Sequence, residues 1–516
     1  MRSRLTYFVA ATLLILGHHQ SSGQSLGKLS PRGKRRVVYN SDLSNTTSHM
    51  SDTATVKELK AIVRNYAVHG GIDTVVQEVW HQGWSTFWRS KHCEYDSRPQ
   101  HKKVIAMMDK GIMPIQVYLE ACHAHKMEFI AGFRMNDRHG TNPNFFARLK
   151  KDHPDWVLGF KPTARGADPR SRRLGCSLNY EKQGVREWIF SIMKEVATRF
   201  DVDGIEMNFT RMPEVFRSGV ARGNHPIMSR FMRRVRRMLD ETGRRKKKRL
   251  MLGVRVLQSV EGCRKLGLDV PTWIREGSVN YVAPGDIGFT DYNARYEDFV
   301  KIARKHNCFV YPQLENRLSY PRRREGIMTD AQSRAAVNNY FGAGTDGFST
   351  QNFQMHWGEK LKHYPKAMSL LRQLRDPERV KALDRHYVYT PLWGTNGYGP
   401  SRTYLPQVVR IPRNKVGSSG KFRFRLCEKL VKNASLTCRP SVVPGDQFTM
   451  SVNGHKIAKG KLKVTWSAKG KPTEITFALT PKFTVYGDNY LQFTLLKAGV
   501  TKGEVTLSEV EVVVKN

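Results

Sequence analysis

The chain has 516 residues, 40% of them hydrophobic, enough to fill large cores and with no long stretch of disordered composition. Its 86 Lys and Arg against 45 Asp and Glu give a formal charge of +41, a field that gathers polyanions. Seven scattered Cys with no CxxC spacing exclude a disulfide scaffold and disfavour structural zinc, and nothing calls for a metal or a cofactor.

At the start of the chain, Arg2 and Arg4 precede an apolar run from Tyr7 to Leu16, and small residues, Ser21 and Gly23, flank a cut after Gly23. This is the layout of a secretory signal peptide, so residues 1–23 are expected to be removed and the mature protein to be secreted or periplasmic. The run is about half the roughly 20 residues a membrane span needs. No later segment is long and apolar enough either, so no integral membrane segment is expected. Residues 24–36, rich in Ser, Gly, Lys and Arg, read as a flexible lead-in.

Then a rhythm appears. β-rich segments at 36–40, 74–79, 128–134, 204–209, 250–256, 281–284, 309–313 and 347–350 alternate with helical patterns such as 54–68, 185–200 and 228–241. Strands separated by helices run parallel. Their number predicts an α/β chain whose first domain, 37–384, is a closed (β/α)₈ TIM barrel. The rival, an open doubly wound sheet, lacks its GxGxxG turn. From 385 to 516 helical periodicity stops. Alternating segments at 421–426, 447–452, 463–467, 474–479, 489–495 and 505–514, with an Asn453-Gly454 turn, predict an antiparallel β-sandwich. Within it, Cys427 and Cys438 could form one local disulfide.

Barrel chemistry sits at the C-terminal strand ends, and these ends are polar. Asn40 and Asp42 close the first strand. Glu78, Trp80 and His81 follow on the second, and Arg134, Asn136 and Asp137 on the third. Glu206, Asn208 and Arg211 belong to the fourth, Asp286 and Asp291 follow the sixth, Glu315 the seventh, and Gln351 and Asn352 the eighth. Alternation turns Glu206 and Asn208 inward, with Ile205, Met207 and Phe209 toward the helices. Glycosidic cleavage needs two carboxyls, and Glu206 and Glu315 are the chosen pair, with Asp286 as a competitor for Glu315. A structural ion pair of Glu206 with Arg134 or Arg211 is the bland reading. His81, Trp80, Arg134, Asn136, Asp137, Asn208, Arg211, Asp286 and Asn352 are expected to line the substrate. Trp84, Trp88, Trp156, Tyr292, Tyr320 and Trp357 either flank it or fill the core. The basic run 244–249 precedes the fifth strand and so lies on the opposite face. Arg165, Arg170, Arg172 and Arg173, and Arg322, Arg323 and Arg324, lie on the catalytic side, where guanidiniums could grip anionic sugars.

The runs 121–134 (ACHAHKMEFIAGFR) and 202–211 (VDGIEMNFTR) resemble glycosyl-hydrolase-like families related to family ten, of the kind secreted by polysaccharide-degrading bacteria such as planctomycetes. The resemblance spans roughly residues 36–360. It implies a glycosidase barrel whose acid/base Glu ends strand four and whose nucleophile Glu ends strand seven, the places of Glu206 and Glu315. Ile205 stands where that clan usually has Asn. Thr210 stands where the similar chitinase signature has its catalytic Glu. The expected function is therefore a secreted glycoside hydrolase that cleaves an acidic or sulfated polysaccharide, with no nucleic-acid partner. The alternative is a non-catalytic carbohydrate-binding or cell-envelope protein.

Overall fold

The computed structural model describes residues 36–516 apart from 43–45, 47–49, 52, 81–83, 96–100, 138–147, 150, 159–176, 287, 320–321, 352, 354–363, 391–407, 431–432, 467–472 and 501. The signal-peptide and lead-in readings fall outside the described residues.

Alternation along β1 (Val37–Asp42) sends Val37 and Tyr39 toward the helices and Val38 to the other side. The same two-residue period runs through β2 (Thr74–Trp80), β3 (Glu128–Arg134), β4 (Gly204–Asn208), β5 (Met251–Val256) and β6 (Tyr281–Pro284). Each of these strands pairs in parallel with the next. β7 comes in two short pieces, Phe309–Val310 and Gln313–Leu314. The first piece pairs with β6 and the second with β8 (Phe348–Gln351), which in turn pairs with β1. The ring thus closes on eight strands, at the places expected from the sequence. The break in β7 falls at Pro312, which has no N–H for a ladder. Pro312 still accepts from the Ser349 N–H at 2.8 Å.

Inside the ring, Val38, Val76, Ile130, Tyr281 and Tyr311 form a small apolar cluster of their own, distinct from the large core under the helices. Two residues further along three of these strands the inward positions turn polar, with Asn40, Glu78 and Gln313. The barrel therefore has an oily floor and a charged upper interior.

The helices follow their caps. Thr55 and Glu58 form a reciprocal capping box at the start of Val56–Val68, and Thr329 and Gln332 form another before Asp330–Gly342. The helix His225–Lys246 runs further than 228–241 and absorbs Arg244, Arg245 and Lys246, where cations suit the negative end of the helix dipole. Lys248 then pairs with Asp201 at 2.6 Å.

The C-terminal part is two antiparallel sheets. One contains Arg385–Tyr389, Glu504–Val514, Ala434–Pro440, Glu474–Leu479 and Lys463–Thr465, with Val409–Pro412 also on Glu504–Val514. The other contains Ser419–Leu426, Gly487–Lys497, Gln447–Val452 and His455–Lys456. Asn453 and Gly454 both have positive φ, as a type I′ hairpin turn requires. Cys427 and Cys438 are buried and free, so the local disulfide is not formed. The sandwich grips the loop after β6 and the helix after β7. Arg425 reaches Glu297 at 2.7 Å, Arg295 reaches Asp488, and Asn339 accepts from the Cys427 N–H at 2.8 Å. Arg322, expected to face substrate, instead pairs with Glu511 of the sandwich.

Candidate active site

Glu206 lies at the middle of β4, level with Gly132 on one side and Gly253 on the other. It is 0% exposed. Both its oxygens accept: Oε1 from Arg255 Nε at 3.0 Å and Oε2 from the Tyr281 hydroxyl at 2.9 Å. The cation beside Glu206 is therefore Arg255, not Arg134 or Arg211. Gly253 makes this possible, because a Cβ there would stand 2.0 Å from the Tyr281 ring. Arg255 Nη1 continues across the interior to Gln313 Oε1 at 2.7 Å and Ser349 Oγ at 3.2 Å. Gln313 Nε2 donates to Glu315 Oε1 at 2.6 Å and to the Asp286 carbonyl at 2.5 Å. A hydrogen-bonded relay, Glu206–Arg255–Gln313–Glu315, thus joins β4 to β7 and brings the Asp286 backbone alongside. Thr290 fixes the backbone at Glu315, accepting from its N–H at 3.0 Å and donating to its carbonyl at 2.8 Å.

A second cluster surrounds Arg134, also 0% exposed. Its Nη2 holds Asp42 at 2.7 Å and also pairs with Glu78, while Nη1 holds Asp137 at 2.9 Å. Arg211 Nε reaches the same Asp137 oxygen at 3.0 Å. Burial by itself pulls the Arg134 pKa down, but the charges of Glu78, Asp42 and Asp137 outweigh it, so the guanidinium is held firmly charged. Three carboxylates thus share two guanidiniums, Arg134 and Arg211, which leaves this cluster one negative charge in excess.

The other expected residues divide. Asn136 is spent on backbone: it accepts from the Leu178 N–H at 2.7 Å and donates to the Glu214 carbonyl at 2.7 Å. Asn208 accepts from the Thr210 N–H and hydroxyl at 3.0 and 2.8 Å. Trp80 is wholly buried against Phe133 and Trp188. Trp84, Trp88 and Tyr292 are buried as well. Trp156 stacks on His153 with centroids 3.9 Å apart. His81, Asn352, Tyr320, Trp357 and the arginines at 165–173 lie outside the described residues.

Sequence reasoning missed Arg255, Tyr281 and Gln313. Alternation from Gly253 to Arg255 on β5 carried the signal for the first. Asp291, noted only as one polar strand end among several, is distinctive too. Burial raises its carboxyl pKa, against the opposing pull of the Asn293 N–H, the Arg423 charge and Gln258. It accepts from Gln258 Nε2 at 2.8 Å.

Residues 37–221 match the family described as glycosyl hydrolase-like 10. The match covers β1 to β4 and contains both runs on which the resemblance rests. No curated protein matches the chain. Among solved structures, a cycloisomaltooligosaccharide glucanotransferase from Paenibacillus sp. aligns at 12% identity over 92% of this chain and 57% of its own, with a TM-score of 0.36. The galactosidase domain of an α-galactosidase–sucrose kinase aligns at 13% identity over 91% and 56%, with a TM-score of 0.39. An α-L-fucosidase from Paenibacillus thiaminolyticus aligns at 11% identity over 68% and 50%, also with a TM-score of 0.39. The chain aligns with about half the length of each.

Proposed function

We propose that the protein is an exported glycoside hydrolase, secreted or periplasmic, that cleaves an acidic or sulfated polysaccharide at the barrel mouth. The observation that carries this reading is the relay Glu206–Arg255–Gln313–Glu315, which sets carboxyls of β4 and β7 in one inward-facing network. Glycosidic cleavage takes a proton donor to the leaving oxygen and a carboxylate opposite it, acting on the anomeric carbon or on a water. Both oxygens of Glu206 accept hydrogen bonds, which suits the carboxylate partner rather than the donor; Glu315 then supplies the proton. This exchanges the roles suggested by family resemblance. The charge of +41 favours a polyanionic substrate.

The test is release of reducing ends from a panel of uronic, sulfated and neutral polysaccharides. Turnover on an anionic member should vanish in both Glu206→Gln and Glu315→Gln. Wild-type turnover in either variant rejects the assignment of that residue.

A second reading has one observation in its favour. Glu206 is fully enclosed and saturated by Arg255 and Tyr281, as a structural ion pair would be. On that reading the barrel binds glycan without cleaving it. Binding to an anionic polysaccharide with no reducing-end release from any member of the panel would select it.

A further inference from the structure

Two carboxamides meet at the seam where the barrel closes. Asn40 of β1 and Gln351 of β8 are direct ladder partners, and paired residues share a face of the sheet. Val38, two residues before Asn40, lies in the inner apolar cluster, and Ser349, two before Gln351, receives Arg255 across the interior. The two-residue period therefore turns both amides inward. Asn40 is 0% exposed and Gln351 2%. Among the described residues neither amide has a hydrogen-bond partner on its oxygen or its nitrogen. Glu78 Oε1 and Arg255 Nη2, inward by the same alternation, lack one as well.

Leaving a buried polar group unmet is costly, and native interiors hold few such groups. Here six of them belong to inward-facing residues of the barrel, and they are mixed. Asn40 Oδ1, Gln351 Oε1 and Glu78 Oε1 can only accept, while Asn40 Nδ2, Gln351 Nε2 and Arg255 Nη2 can only donate. A carboxylate or sulfate, which only accepts, would meet the amide oxygens and the Glu78 charge. A hydroxyl both donates and accepts, and so matches the set.

We infer that Asn40 and Gln351 form a clamp for the hydroxyl groups of a neutral sugar ring, so that the acidic groups of the substrate lie on a neighbouring unit. This rests on the carbohydrate reading above but needs no hydrolysis. It also separates two jobs: the β1–β8 seam reads hydroxyls, while the β4–β7 relay holds the carboxyls proposed for cleavage.

Asn40→Leu and Gln351→Met keep approximate size and remove the polar atoms. The full chain is melted with and without millimolar glucose, galactose or N-acetylglucosamine, with sorbitol as an acyclic control. At least one cyclic sugar should raise the wild-type midpoint, and sorbitol should not. Each variant should keep or raise the sugar-free midpoint, because apolar replacement of unpaired groups is nearly neutral or stabilising. Each should also lose about tenfold or more in sugar affinity, the equivalent of one unmade hydrogen bond to a buried group. A lower sugar-free midpoint with unchanged sugar affinity overturns the clamp and makes the amides anchors for structural water. No shift of the wild type by any of the sugars overturns it too. Turnover separates the two claims. Sugar binding lost in the variants, with no hydrolysis by the wild type, defeats the hydrolase and leaves the clamp. Hydrolysis and sugar binding unchanged in the variants defeat the clamp and leave the hydrolase.

Discussion

Replacing Glu206 by Gln removes the charge opposite Arg255 and keeps the side chain's size. Both residues are 0% exposed, with Oε1 and Nε 3.0 Å apart. Removing one partner of a buried ion pair strands the other charge and costs about 3–5 kcal/mol. Here the stranded guanidinium is poorly provided for: Nη1 keeps Gln313 and Ser349, but Nη2 has no partner among the described residues. Glu206→Gln should therefore fall in that range, measured as the shift in the urea midpoint at constant slope. Adding Arg255→Met removes the stranded charge, and the double variant should recover at least half the loss. It does not recover all, since Gln313 Oε1 and Ser349 Oγ lose a donor, each a loss of about 1 kcal/mol. Turnover measured where all variants are folded then divides the two readings. A catalytic Glu206 leaves the double variant as inactive as the single. A merely structural pair leaves the single and the double variant both active there. A Glu206→Gln protein as stable as the wild type would refute the reasoning at its root, because it would mean that the pair is not desolvated.

Arg134→Met should destabilise by a similar margin, about 3–5 kcal/mol, because Asp42, Glu78 and Asp137 lose their shared cation; a loss below 1 kcal/mol in urea unfolding contradicts that cluster. Asp291 gives a pH signature. Burial raises its folded pKa above that of a free aspartate, so its contribution to stability is full below the free value and is lost as pH rises through the folded pKa. Asp291→Asn should match the wild type in acid and exceed it near neutrality; equal stability at both ends of a pH series refutes the shift. Binding to a sulfated polysaccharide should weaken steeply with salt, since the screening length falls from about 8 Å at 0.15 M to about 3 Å at 1 M; affinity unchanged across that range argues against a polyanionic substrate.

Local pattern determined a good deal of this protein. The eightfold alternation placed every barrel strand, because a strand needs only its own two-residue period to declare itself. That period also turned Glu206 inward before any partner was known, and Asn453-Gly454 announced its hairpin through the positive φ it must adopt. The sandwich strands Arg385–Tyr389, Val409–Pro412 and Ala434–Pro440 lie outside the segments expected from the sequence, although the last alternates buried and half-buried positions as regularly as those that were expected. What only the tertiary structure decided is which side chains meet. Arg255, rather than Arg134 or Arg211, reaches Glu206; Arg134 collects Asp42, Glu78 and Asp137 from three different segments; and Arg322 is drawn away to Glu511 of the sandwich. The physical reason is that alternation fixes the face a residue presents, whereas its height in the barrel depends on the stagger between strands. Stagger is set by the closed ladder as a whole, including the split of β7 at Pro312, and no single strand carries it.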